Sequence, residues 1–120
     1  MRVEMMPRRR ARFNISAPVV FRWKGSAGNS ESGDGMTRDI GIGGMFIVTS
    51  GPFPPENASI RCEASLPSVD PNRTKWHLRV SGRVQRATTG TENNERGFAV
   101  RTVSFLLLQD DTRSLRVSVN

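Results

Sequence analysis

The sequence is short of the residues that most often do chemistry. It holds one cysteine, Cys62, one histidine, His77, and no tyrosine in 120 residues. A lone cysteine excludes an internal disulfide and a cysteine-based zinc site. A lone histidine leaves little material for imidazole catalysis or a histidine-rich metal centre. No run of eighteen apolar residues is present, and no apolar stretch follows the basic N-terminus as a signal peptide requires. The expectations are therefore no membrane segment and, by default, a reducing cytoplasm. No nucleophile–base pair, metal cluster or pair of carboxylates stands out, so the chain reads as a binding protein, with no reaction, cofactor or metal expected.

What is present is an ordinary globular composition, 36 % hydrophobic and 24 % charged, in a chain long enough for one domain with a modest core. The net charge of +7 is unevenly placed. Residues 1–24 carry Arg2, Arg8, Arg9, Arg10, Arg12, Arg22 and Lys24 against Glu4 alone, which gives +6; the other 96 residues total +1. A near-neutral body with one basic segment points to a localised anion site rather than a broad polyanion surface. Residues 1–6 read as a flexible tail and 7–120 as the domain.

The dominant side-chain period is two. Ala17, Val19, Phe21 and Trp23 alternate with polar residues, as do Ile60, Cys62, Ala64 and Leu66, and Trp76, Leu78, Val80 and Val84. One buried and one wet face per segment means strands of an antiparallel sheet or barrel. Residues 44–48, "GMFIV", and 97–105, "GFAVRTVSF", add two more by composition. Residues 25–35, "GSAGNSESGDG", have no large apolar side chain and read as a mobile loop; 50–59 and 67–74 read as connections and 88–95 as a polar hairpin tip. About six strands at this spacing predict an all-β fold, a small six-stranded antiparallel barrel. The C-terminus reads two ways. Asp110 or Asp111 can cap a short helix through Leu115, sharing a face with Leu108, while Leu115, Val117 and Val119 also alternate as a strand does; the short helix is the reading adopted.

Most singled-out side chains have structural readings. His77 falls on a polar strand face, Trp23 and Trp76 fall on apolar faces, and Cys62 reads as a small buried residue. Arg79, Arg83 and Arg86 read as an exposed, solvated face.

Two stretches remain. "PRRRARF" at 7–13 places four arginines in five positions, and "TRDIGIGGMFI" at 37–47 places three glycines in four. The glycines alone read as a tight turn with Asp39 bonding locally to backbone. Together they read differently: an Arg-x-x-x-Arg at Arg8 and Arg12 is followed, about thirty residues later, by Asp-x-Gly-x-x-Gly at Asp39, Gly41 and Gly44. This order resembles the PilZ domain, the bacterial receptor family for cyclic di-GMP. "RFNISAPVVFR" resembles that family's first strand, "SGRVQRA" a central strand, and "GFAVRTVSF" the last strand before a closing helix. The likeness spans roughly residues 7–118 and rests on order and spacing rather than on any one motif.

The resemblance implies a PilZ-type barrel with a short C-terminal helix and a ligand site at Arg8, Arg9, Arg12, Asp39, Gly41, Gly43 and Gly44. It also implies an arginine segment that orders over the ligand, a change read by a protein effector not identified by the sequence. Gly41 stands where the family usually has serine, and one lost hydroxyl bond is worth roughly 0.5–1.5 kcal/mol, about tenfold in affinity. The residue types suit the ligand: a guanidinium fork pairs with a phosphate or with guanine O6 and N7, and Asp39 can accept from guanine N1 and N2. Two alternatives stand beside this reading. One is a PilZ-like interaction module that has lost the nucleotide, for which Gly41 is the only sign. The other is a single-stranded nucleic-acid-binding barrel, disfavoured because such surfaces interleave exposed aromatics with basic residues; no nucleic acid is expected.

Overall fold

The computed structural model of the chain describes residues 12–67, 75–88 and 96–109. The tail, Arg8 to Arg10, most of the 67–74 connection, the hairpin tip beyond Thr88 and the C-terminal segment expected to be helical lie outside the described residues. The described residues form seven strands: β1 (Arg12–Phe13), β2 (Pro18–Lys24), β3 (Ser30–Gly41), β4 (Gly44–Val48), β5 (Ser59–Ser65), β6 (Trp76–Thr88) and β7 (Gly97–Gln109). Among the described residues there is no helix.

The alternating segments became strands for the expected reason. Along β2, "PVVFRWK" is buried at every second residue, and β5 repeats the pattern at Ile60, Cys62 and Ala64. Their inward side chains meet those of β6 and β7 in one core, where the Phe98 ring packs edge-on to Phe21 at 5.0 Å and Phe53 packs against Phe98 at 5.9 Å. Trp23 joins that core; Trp76 is only half-buried.

All neighbours are antiparallel, in the order β1-β3-β2-β5-β6-β7-β4, and a further β3–β4 pairing closes a six-stranded barrel. β2, β3 and β4 form one meander and β5, β6 and β7 another; β2–β5 and β4–β7 are the two seams between them. β3 serves three neighbours, pairing with β2 through Ser30–Met36, with β4 through Met36–Ile40 and with β1 through Ile40–Gly41.

Between β1 and β2 the chain slips its register against β3, and Thr37 repairs the gap. Its hydroxyl accepts from the Ala17 N–H at 2.9 Å and donates to the Ile15 carbonyl at 2.6 Å, in a site 2 % exposed. Thr37→Val keeps the shape and strands both backbone groups, so it is expected to cost about 1–3 kcal/mol in urea unfolding. An unchanged midpoint would show that the hydroxyl is not needed.

Three expectations change. Residues 25–35 are not a loop: only 25–29 turn, with Gly28 at φ 86°, and β3 begins at Ser30. The segment needs no large side chains because its backbone pairs with β2, and Gly33 lies where any Cβ would collide with the Phe21 ring. Gly41 and Gly44 are not wholly turn residues: they end β3 and begin β4, leaving 42–43 as the bend. The last strand does not stop at 105 but runs to Gln109, so Leu108, assigned above to a helix face, lies in a strand opposite His77. His77 itself is half-buried beside the Ser65 hydroxyl at 3.4 Å.

Cys62 is 1 % exposed, and burial pushes its thiol up from 9.0 to about 12. The folded chain thus holds this proton where the unfolded chain releases it. Stability from this group is full below about pH 9 and falls as pH rises toward 12, by up to about 1.4 kcal/mol per pH unit. Urea unfolding at about pH 8 and about pH 11 should show a drop that is smaller in Cys62→Ala; equal drops would assign the loss to other groups.

Candidate functional site

Arg12, the last residue of the N-terminal arginine motif, meets the glycine motif at the end of β3. β1 lies along the end of β3, with Arg12 opposite Gly41 and Phe13 opposite Ile40. From there the Arg12 Nη1 donates to Asp39 Oδ1 at 2.8 Å. The other carboxylate oxygen, Oδ2, accepts from the Arg38 Nε at 3.2 Å.

Arg38 reaches that position because of a bulge. Thr37 pairs with Ile47 and Asp39 with Phe46, so Arg38 is the extra residue on β3. Bulges re-aim side chains, and this one sets the Arg38 guanidinium over the Phe46 ring, 4.1 Å from its centroid. The result is a carboxylate gripped from two sides. Asp39 is 8 % exposed, whereas about half of each arginine side chain remains in solvent. Both oxygens of this buried carboxylate thus have a charged hydrogen-bond donor, as burial of such a group requires.

Capacity remains for a ligand. A guanidinium has five N–H donors and a carboxylate about four acceptor positions, so the ion pair leaves most of Arg12 and a second lone pair on each Asp39 oxygen unused. Apolar side chains also stand exposed at this rim: Phe13 and Ile42 are 59 % and 65 % exposed.

The glycines divide. Gly41 sits beside Arg12 in the register. The Gly43 carbonyl accepts from the Thr102 N–H at 3.0 Å, which ties the bend to β7. Gly44 is buried against the Val100 carbonyl, where a side chain has no room. Arg12, Asp39 and Gly41 therefore gather at the surface, while Gly43 and Gly44 join the turn to the barrel wall. Arg8 and Arg9 lie outside the described residues. Asp39 bonds to arginines rather than to local backbone as its turn reading expected.

Arg38 is the site residue that sequence reasoning missed. It adjoins Asp39 in "TRDIG", but nothing local signals the bulge that turns it back onto the carboxylate. Among the described residues, no group of three or more His, Cys, Asp or Glu side chains gathers, and no helix is long and apolar enough to cross a membrane. Compared with known proteins, the chain matches no family model and no curated protein.

Proposed function

We propose that this barrel is a PilZ-type receptor that binds cyclic di-GMP at the Arg12–Asp39 rim and relays the nucleotide's level to a protein partner, without catalysing a reaction. One observation carries the reading: the Arg12–Asp39 ion pair joins two motifs that lie 27 residues apart. Phosphates pair with the free donors of Arg12 and with the arginines that precede it, and the spare acceptors of Asp39 face the N1 and N2 donors of a guanine. Phe13 and Ile42 offer apolar surface to the flat bases. The segment before Arg12 orders over the ligand, and that ordering is what a partner reads.

A second reading has its own observation. Both Asp39 oxygens are engaged, which suits a structural clasp, and Gly41 brings no hydroxyl. On this view the barrel is an interaction module without the nucleotide.

Calorimetric titration of cyclic di-GMP separates the two, run beside the double variant Arg8→Ala/Arg12→Ala. Micromolar or tighter binding, lost in the variant, is the expected result. Absence of heat with the wild-type protein leaves the interaction module as the surviving reading.

A further inference from the structure

The outer face of the barrel carries an arrangement of charge that its own fold does not explain. Outward residues of β2, β5, β6 and β7 align in rows across the strands. In one row Arg22 stands directly opposite Arg61, which stands opposite Ser81; in the next, Ser59 stands opposite Arg83, and Arg83 opposite Arg101. Lys24 extends the first row's strand by one outward position.

Two directly opposed arginine pairs on one face oppose folding, because side chains so placed lie about 4.5–5.5 Å apart at Cβ and like charges there repel. Compensation within the molecule is slight. Among the described residues the ion pairs are Arg12–Asp39, Arg38–Asp39 and Arg79–Glu63, and none includes Arg22, Lys24, Arg61 or Arg101. Arg83 is the exception, donating to the Asn57 carbonyl at 2.7 Å, which steadies its guanidinium at the edge of the patch. Between these cations runs an open groove of about 640 Å³, lined by Arg22, Lys24, Arg61, Arg83, the hydroxyl-bearing Ser59 and the exposed Val103, with no acidic side chain in its wall.

We infer that this groove is a docking site for an extended acidic segment of a partner protein, one that alternates carboxylates with aliphatic residues. The cations supply charge complementarity, the serines neutral hydrogen bonds, and Val103, more than half exposed, the apolar contact. A nucleic acid fits less well: the one aromatic side chain in the lining, Trp23, is 8 % exposed and turned into the core, so no ring is offered to stack a base. The charge totals by segment hide the patch, because Arg22 and Lys24 count with the basic residues 1–24 while Arg61, Arg83 and Arg101 are spread through the near-neutral remainder. The inference does not depend on the nucleotide reading of the rim.

The test is fluorescence anisotropy with the full chain and a labelled synthetic peptide of alternating glutamate and valine, beside a labelled oligothymidylate. The peptide is expected to bind, to weaken as salt rises, and to lose about tenfold or more in affinity in Arg22→Gln/Arg61→Gln. That double variant removes a repulsion, so its melting temperature should equal or exceed that of the wild type. Peptide binding that ignores the variant, or no binding, overturns the proposal. Oligothymidylate binding as tightly as the peptide overturns it too, in favour of a nucleic-acid surface.

Discussion

Asp39→Ala is expected to abolish high-affinity binding of cyclic di-GMP while the barrel stays folded. The carboxylate would make two charged hydrogen bonds to a guanine edge, and each such bond contributes roughly 1.5–3 kcal/mol, so the loss is about hundredfold or greater. A second effect adds to it. Arg12 is aimed by Asp39, at 2.8 Å, and without the carboxylate its guanidinium loses that anchor. Asp39→Asn keeps one acceptor oxygen and should lose less, on the order of tenfold. Calorimetry gives the affinities and circular dichroism the state of the fold. If Asp39→Ala binds as the wild type does, the guanine is not read by this carboxylate and the site assignment fails.

The second large effect concerns the motif glycine whose place is structural. Gly44→Ala should cost about 3 kcal/mol or more, at the upper end of what overpacking a core costs. A Cβ there falls well inside contact distance of the Val100 carbonyl oxygen, and backbone cannot swing aside as a long side chain does. Gly97 has the same constraint at the Ile47 carbonyl. Gly44 pairs with Arg101 and Gly97 with Val48, so the two glycines sit at opposite ends of the β4–β7 seam. Gly44→Ala/Gly97→Ala should fail to close the barrel. Urea unfolding of each single variant and of the pair measures this, and a wild-type midpoint for Gly44→Ala would return that glycine to a ligand-facing role.

Much of the barrel was legible because one face of β2, β5 and β6 is dry and the other wet, and a period of two records that contrast directly. The first half of β3 was not legible. Its residues are held by backbone pairing to β2 and by the absence of a side chain at Gly33, neither of which leaves an apolar signature. At the rim, the sequence placed Arg12, Asp39 and Gly41 in one site because their types and spacing follow a known order. Arg38 escaped because a bulge overrode alternation. The outer arginine patch escaped for a different reason: Arg22 and Arg61 face each other only through the β2–β5 register, which no local window contains.

That same seam has a consequence for how the chain reaches its native state. Each three-strand meander is made of neighbours in sequence and can form locally, whereas both seams join segments from different halves of the chain. Contact-order reasoning places such topologies in the slow, millisecond-to-second class of folders, limited by non-local pairing. The Arg22–Arg61 pair stands across one of the two lines along which the halves must meet. Its repulsion acts on the docking of preformed halves more than on either half alone, and dissolved salt, by screening it, speeds the step that completes the barrel.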